Sequence, residues 1–420
     1  MMKKNLLFMA AMAFALTVFT GCSDDDDNGA WQQLPTTEIT GDNASFKVNG
    51  QTTATGSVTV KATSATAAEV NLKKVIAGYA DVTVPVQLTE KADGSFDFSG
   101  SKKLTTPPAM MSMTRAFANN TLYTLTVTGN ISAAGKAVVE ASMEMTESAK
   151  GGIAGSWKLL NYSKCDENEA AINTPLKLVA TAVDMTKPNF VMVSQLVSVL
   201  GSPVLYNMLN TVNFNEDGSI TAKYNTAADD DLIMDYMATA IPEYVEGNCV
   251  SYTWTEHAST VWSPETPKNI ANWYVSGNQI FIAPCISAMV GEDGEDTEFD
   301  MTAIAELLKQ YDIELSPEVL TSVMGWMSAG IPLKYEVNAE GMLTIYVDKA
   351  MADPFVQMLL PALAKVDEMV ANMDPVEDKD TIEMLNMLKG ILNISEFAEL
   401  ETAWNNTASF QLGLNLVKAN

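Results

Sequence analysis

Residues 410–416, Phe410-Gln411-Leu412-Gly413-Leu414-Asn415-Leu416, place an apolar side chain at every second position. Successive side chains of a β-strand point to opposite faces of a sheet, so this alternation predicts a strand with one apolar face. A strand of this kind, following a series of hairpins, is suited to closing a β-barrel. We therefore expect this part of the protein to form a barrel.

Three hairpin signals precede this strand. Each is a pair of alternating segments joined by a short turn that contains glycine, which is the usual pattern of an antiparallel hairpin. The turns are Asp217-Gly218, Gly277-Asn278 and Glu340-Gly341. Residues 151–420 are therefore predicted to form an antiparallel barrel.

Helical segments interrupt the predicted barrel. Ser316-Pro317 pairs an N-cap residue with a proline at the first helical position, and Gly330 with Pro332 predicts where that helix ends. Asp353-Pro354 predicts a second helix start in the same way. The fold class is therefore mainly β with helical insertions (α+β), and the helices are expected near one barrel mouth. The other predicted helices are residues 190–209, broken near Gly201-Ser202-Pro203, residues 381–392 and residues 396–403.

Residues 44–150 predict a first antiparallel β unit, a barrel or a sandwich. Residues 122–127 and 136–140 alternate, and Asp93-Gly94 marks a turn. Residues 107–113 break the pattern and predict a loop. Lys150-Gly151-Gly152 is the predicted boundary with the second domain.

Both units resemble known families. The Gly78-Tyr79-Ala80 turn and residues 127–131, Val-Thr-Gly-Asn-Ile, resemble the calycin-like barrels of Bacteroidetes lipoproteins. Gly155-Ser156-Trp157 resembles the Gly-x-Trp first strand of lipocalin-like domains. The second resemblance implies that Trp157 plugs the closed end of the barrel.

The N-terminus predicts export. Lys3 and Lys4 precede an apolar run at residues 6–19, which is too short to span a bilayer. Thr20-Gly21-Cys22 follows and resembles a bacterial lipobox. Residues 1–21 are therefore predicted to be a signal peptide, and Cys22 is predicted to be the lipidated first residue of the mature chain.

The residues that follow Cys22 predict the cellular location of the lipoprotein. Ser23-Asp24-Asp25-Asp26-Asp27 resembles the tag that directs Bacteroidetes lipoproteins to the outer face of the outer membrane. Residues 22–43 are predicted to be a lipidated acidic tether. The resemblance implies a cell-surface protein that is held to the membrane through its lipid anchor.

Charge limits the possible partners. The chain has 25 basic and 52 acidic residues, and loss of two lysines with the signal peptide would change the net charge from −27 to −29. The electrostatic field of this negative charge opposes binding to nucleic-acid phosphates. Arg115 is the only arginine available for bidentate phosphate recognition. Nucleic-acid binding is excluded, and the expected ligand is neutral or cationic.

The cysteines leave two possibilities open. Cys165, Cys249 and Cys285 remain after lipidation of Cys22, and three thiols cannot all pair within one chain. Either one disulfide forms beside one thiol, or all three stay reduced. No Cys-x-x-Cys spacing supports a metal site.

No catalytic or metal-binding residue stands out. His257 is the only histidine, and it is expected at the surface or in a turn. Residues 213–220 imitate the start of a calcium loop, but position twelve is Tyr224 instead of glutamate, so a hairpin is favoured. Residues 292–296 predict a solvated acidic loop. We therefore expect neither enzyme activity nor a cofactor.

Methionines occur at helical spacings in the insertions. Packing of the helices onto the barrel is the favoured interpretation, with Cu(I) binding by thioethers and an adaptable apolar docking groove as alternatives. The methionines are Met324, Met327, Met358, Met369, Met373, Met384 and Met387.

Trp254, Trp262 and Trp273 form the densest aromatic cluster and are the candidate ligand-binding residues. Aromatic faces stack on sugar rings, so a glycan site is one interpretation, with Trp262 in an exposed loop. The alternative is that Trp254 and Trp273 are core residues of neighbouring strands. Thr381 in Asp380-Thr381-Ile382 resembles a Bacteroidetes O-glycosylation site, although a helix N-cap is the favoured role for Asp380 or Thr381.

The leading functional hypothesis is a non-enzymatic binding protein for a glycan, an apolar small molecule or a protein. A structural or adhesive lipoprotein with packed barrels is the alternative. A glycan hydrolase using two carboxylates is the third, although no spacing singles out a pair. An open, lined barrel would favour binding, and filled barrels would favour the structural role.

Overall fold

The computed structural model is mainly β, with 44% strand and 27% helix, and it confirms the predicted fold class. It contains a closed eight-stranded antiparallel barrel and a second sheet curled into a half barrel. The structure describes residues 29–53, 56–76, 79–105, 121–167, 171–229, 232–268, 270–284, 316–363, 365–375 and 378–419. The predicted loops at 107–113 and 292–296 lie outside these ranges.

The half barrel is an eight-stranded sheet with strand order β2-β1-β8-β7-β6-β5-β4-β3. Its strands are antiparallel neighbours except for β1 and β8, which pair in parallel. Since β2 and β3 are both edge strands, the sheet is open. The strands are β1 (Ala44–Val48), β2 (Gln51–Thr53), β3 (Ser57–Ser64), β4 (Ala67–Lys73), β5 (Asp81–Glu90), β6 (Phe96–Thr105), β7 (Thr121–Ile131) and β8 (Ala137–Met145).

Alternating burial produces the core of this sheet. Every second residue of β8 from Ala137 to Met145 is buried, whereas the residues between them, such as Val138, face solvent. Because every second side chain is buried, the apolar residues form one face of the sheet, and this face is the core of the half barrel.

The barrel closes because β9 pairs with two strands. β9 pairs with β12 on one side and with the end of β20 on the other, where Leu159 lies opposite Leu416. The terminal strand predicted from alternation therefore closes the barrel. The barrel strands are β9 (Gly155–Leu159), β12 (Leu209–Phe214), β13 (Ser219–Tyr224), β16 (Ala271–Ser276), β17 (Gln279–Pro284), β18 (Ile331–Val337), β19 (Leu343–Asp348) and β20 (Thr407–Lys418).

Four further strands lie outside the barrel. β11 (Leu176–Ala182) pairs with the first part of β20. β10 (Tyr162–Lys164), β15 (Asn248–Trp254) and β14 (Ala240–Val245) form a separate three-stranded sheet in that order. Trp254 and Trp273 thus belong to different sheets, which differs from the expectation that they lie on neighbouring strands.

The helices differ in part from the sequence predictions. Ser316 caps α4 as predicted, since its hydroxyl accepts the Val319 backbone N–H at 3.2 Å. α5 begins at Lys349, so Asp353-Pro354 lies inside the helix. α2 is continuous through Pro203 instead of broken there. The helices are α1 (Glu147–Lys150), α2 (Val191–Met208), α3 (Ile233–Met237), α4 (Pro317–Ala329), α5 (Lys349–Leu363), α6 (Val366–Ala371), α7 (Lys379–Leu392) and α8 (Leu400–Asn405).

α2 packs with its polar side inward. Its buried serines accept hydrogen bonds from backbone N–H groups on the edge of β11: Leu176 to Ser202, Leu178 to Ser198 and Ala180 to Ser194, at 2.9–3.2 Å. These bonds satisfy an edge that would otherwise be unpaired. Among the helices in the described ranges, α2 alone is long and apolar enough to cross a membrane.

The two sheets touch at the β12–β13 turn. The Tyr123 hydroxyl donates to the Trp273 carbonyl at 2.5 Å, and the Tyr123 ring packs edge-on against Tyr274. Gly218 has φ +83°, and a Cβ there would lie 2.6 Å from the Tyr123 ring. Glycine is therefore required at this turn both for the backbone conformation and for the close approach of the first sheet.

Candidate binding site in the barrel

Strand register defines the inner face of the barrel. Phe214 and Trp273 belong to strands separated by β13, yet their rings contact edge-on with centroids 5.2 Å apart. Side chains two strands apart come into contact on the concave side of a curved sheet, so Phe214 and Trp273 lie on the inner face. Tyr274 and Phe281 stack on the opposite face, where Tyr123 of the first sheet packs, so that face is the outside. Alternation then assigns each remaining strand residue to one face.

The inner face is filled at one end of the barrel. Trp157 donates its indole N–H to the Ile153 carbonyl at 2.7 Å, and the Lys418 ammonium lies 4.0 Å from the centre of its ring. The Trp273 indole N–H donates to the Asn215 carbonyl at 3.1 Å. We call the inner residues at this end that are at most 2% exposed the floor: Trp157, Leu159, Phe214, Trp273, Ile280, Leu343 and Leu416.

The inner residues toward the opposite end are less completely covered. Along β20, Leu416 is buried, Leu414 is partly exposed and Leu412 is 42% exposed. β17 shows the same trend, from buried Ile280 to partly exposed Ile282. We call these residues the wall. They are Val212, Ile282, Ile331, Leu333, Leu412 and Leu414.

The wall is aliphatic and uncharged. Lys418, beside the floor, is the one charged side chain that the described barrel strands place on the inner face. Tyr335 adds a hydroxyl whose pKa is raised by burial. A concave, partly covered aliphatic surface above a packed floor is suited to an apolar molecule because its burial would remove wall surface from water.

β19 and β20 approach each other closely at Gly413, between the wall residues Leu412 and Leu414. A Cβ at Gly413 would lie 2.0 Å from the Ile345 carbonyl oxygen and 2.7 Å from Tyr346, the residue opposite it. The Lys177 ammonium lies over the Tyr346 ring on the outer face. Glycine at position 413 thus lets Tyr346 cover the outside of β20 while Leu412 and Leu414 point inward.

The three candidate tryptophans do not share one surface. Trp273 belongs to the floor, and Trp254 is buried in the three-stranded sheet, where it stacks with Tyr252 at 6.1 Å. Trp262 is partly exposed and forms a single bridge with Asn225. Buried Trp254 and Trp273 present no ring face to a sugar, so the structure does not assemble a three-tryptophan platform.

His257 lies in a turn, as expected from the sequence. Its Nδ1 accepts the Ser259 backbone N–H at 3.3 Å and is 2.7 Å from the Ser259 hydroxyl. These contacts between residues two positions apart stabilise a local turn. The adjacent surface is a shallow depression of about 410 Å³ that also includes Asp235, Thr239 and Glu256. This depression is open to solvent.

Asn207 organises this turn from the end of α2. Its side chain is fully buried, and its Nδ2 donates to the Pro203 carbonyl and the Thr239 hydroxyl at 2.9 and 3.1 Å. Its Oδ1 accepts the His257 backbone N–H at 2.7 Å and the Thr260 hydroxyl at 3.1 Å. This role cannot be predicted from the sequence, since a single asparagine in an apolar helix forms no pattern.

The calcium-like segment is occupied by hairpin contacts. Asp217 accepts hydrogen bonds from the backbone N–H and hydroxyl of Ser219 and pairs with Lys268 at 2.8 Å. Burial opposes ionisation, but these hydrogen bonds outweigh it and hold the pKa of Asp217 below its ordinary value. Among the described residues, no group of three His, Cys, Asp or Glu side chains is arranged to bind a metal.

The expectation that the helical methionines pack in the core is wrong for four of them. Met324, Met369, Met384 and Met387 are each more than half exposed. Apolar periodicity identified the helices, but it does not fix which helix face meets the barrel. Met358 and Met373 are partly exposed, and the Met327 side chain lies outside the described part of the chain.

The remaining candidates are not part of the barrel site. Thr381 is exposed in the first turn of α7, and the N-cap is Asp378, so the expected N-cap role of Asp380 or Thr381 is wrong. Cys22 and Cys285 lie outside the described residues. Comparison of this chain with protein-family models, with curated proteins and with solved structures finds no match.

Proposed function

We propose that this chain is a non-enzymatic outer-membrane lipoprotein that binds a neutral, apolar small molecule in its closed barrel. The observation that carries the proposal is the partly exposed aliphatic wall that lies beside the filled floor on the inner face. The lipocalin-like Gly155-Ser156-Trp157 start of the barrel agrees with it, because Trp157 belongs to the floor. A neutral ligand also avoids the strong negative charge of the chain.

A probe-binding experiment tests this function. N-phenyl-1-naphthylamine is neutral and apolar, and its fluorescence rises when it leaves water. Leu333→Trp enlarges a wall side chain on β18 and should weaken probe binding at least tenfold by filling the space that the probe occupies. Lys334→Trp adds the same ring to the outer face of the same strand and should bind like the wild type.

Three outcomes would contradict the proposal: no saturable binding by the wild type, equal binding by both tryptophan variants, or equal loss in both. The first would favour the alternative of a structural or adhesive protein. Circular dichroism of both variants shows whether a loss of binding reflects a loss of folding.

The proposed location rests on residues 1–27 and has its own test. Lipidation at Cys22 with two or more acyl chains would hold the protein stably at the membrane, and the acidic residues that follow would place it at the cell surface. Mass spectrometry of the membrane fraction should find a chain that begins at acylated Cys22. An intact N-terminus at Met1, or full-length protein recovered in the cytosol, would contradict this location.

A further inference from the structure

Two cysteines from distant parts of the sequence lie side by side in the three-stranded sheet. Cys165 directly follows β10 and donates its backbone N–H to the Val250 carbonyl at 2.8 Å. Cys249 is the neighbour of Val250 in β15. The two sulfur atoms are 3.5 Å apart, although 84 positions separate the residues in the chain. Cys249 is buried and Cys165 is partly exposed.

We infer that Cys165 and Cys249 are joined by a disulfide bond in the exported protein. A disulfide has a sulfur–sulfur distance of about 2.05 Å, so the sulfurs would approach by roughly 1.5 Å, a movement that rotation of the two side chains can supply. The inference chooses among the pairings that the sequence leaves open and assigns Cys285 no partner from this pair. It rests on the export in the proposed function, because disulfides persist outside the cytoplasm.

The bond forms by two thiol–disulfide exchanges with an oxidised dithiol or with glutathione disulfide. The thiolate of partly exposed Cys165 attacks the donor disulfide, giving a mixed disulfide and releasing one donor thiol. The thiolate of Cys249 then attacks the Cys165 sulfur and releases the second donor thiol. The two cysteines lose two electrons and two protons, and the donor gains both.

The cross-link would tie a weakly held segment to the sheet. β10 has three residues and pairs with β15 on one edge, and its other edge meets the chain again through the bridge between Cys165 and Ala171. The segment after it carries Thr174, whose carbonyl accepts from the buried Asn415 side chain at 2.8 Å, on the outside of the barrel. The bond therefore stabilises the segment that leads into β11, which pairs beside β20, and it takes no part in ligand binding.

Peptide mapping of the exported full-length protein tests the inference. The protein is denatured without reductant in N-ethylmaleimide and digested. We expect the peptides of Cys165 and Cys249 to be joined and unlabelled, and Cys285 to be labelled. After dithiothreitol, all three should be labelled. Labelling of Cys165 and Cys249 before reduction, or joining of either one to Cys285, would overturn the inference.

Matched serine variants separate the bond from other effects of reduction. In Cys285→Ser, the joined peptides should persist, and dithiothreitol should lower Tm by about 5 °C. In Cys165→Ser, Cys249 should be labelled and dithiothreitol should leave Tm unchanged. Protein produced in the cytosol should form the same bond when glutathione disulfide is added, and failure there overturns the pairing even if export is correct. Probe binding should be unaffected throughout.

Discussion

Trp273→Ala is expected to lower the free energy of unfolding by about 3–5 kcal/mol, the usual cost of removing a fully buried tryptophan. The indole fills the floor against Phe214, and its N–H satisfies the Asn215 carbonyl. Alanine leaves a cavity at the point where the barrel meets the first sheet, and the Asn215 carbonyl keeps only the hydrogen bond from the Gly218 backbone N–H. Urea unfolding followed by far-UV circular dichroism measures the change.

Trp262→Ala is the matched control because it removes the same atoms from a partly exposed position. It should cost no more than about 1–2 kcal/mol, since less apolar surface is lost from the core. A Trp273→Ala variant as stable as Trp262→Ala would mean that the floor is not packed as described. The same control also tests the glycan hypothesis, because retained polysaccharide binding would show that Trp262 is not needed.

Asn207→Leu should destabilise the protein by about 3–5 kcal/mol, although leucine is similar in size and suits a helix. The variant removes the acceptor of the partly buried His257 backbone N–H and of the Thr260 hydroxyl, and it removes one of the two hydrogen bonds of the Thr239 hydroxyl, which still donates to the Tyr236 carbonyl. Each buried group left unpaired costs about 1–3 kcal/mol. The loss should appear in urea unfolding and as faster hydrogen exchange at residues 255–261.

Asn213→Leu makes the same substitution at a partly exposed position on the outer face of β12. Its amide donates to the Thr221 hydroxyl at 3.0 Å, so the variant should cost about 1 kcal/mol or less. Equal destabilisation by the two variants would show that Asn207 is not the centre of a polar network.

Local patterns predicted the hairpins and the closing strand well. Asp217-Gly218 and Glu340-Gly341 lie in turns between adjacent strands, and residues 410–416 lie within β20. Alternation fixes which residues share a face, and turn glycines fix which strands are neighbours. Both signals depend on residues close together in the sequence, so they can be read from it directly.

Non-local pairings could not be predicted in this way. The parallel pairing of β1 with β8 and the separation of β15 from β16 into different sheets leave no short-range signal. α2 shows the same limit. Its sequence predicts a helix, but it does not predict that buried serines of this helix accept hydrogen bonds from the edge of β11. The glycan interpretation required three tryptophans on one surface, but two of them, Trp254 and Trp273, are buried in the core.

The sequence therefore predicts that the candidate site is the interior of a barrel, but it does not predict which residues line the site. The sequence indicated a barrel whose interior decides between binding and structural roles. The wall residues Ile282, Leu333 and Leu414 were visible only as alternating apolar positions, identical in pattern to the floor residues Ile280 and Leu416. Wall and floor residues differ in their position along the barrel axis. That position depends on how neighbouring strands are aligned, and the sequence does not show this alignment.

Methyl NMR of the protein during titration with N-phenyl-1-naphthylamine tests whether a ligand binds inside the barrel. With isoleucine, leucine and valine methyls labelled, binding there should give saturable shifts at Val212, Ile282, Ile331, Leu333 and Leu414. Exposed Val138 on the first sheet should not shift. Shifts confined to surface methyls such as Val138, or no saturable shifts at all, would contradict a ligand site inside the barrel.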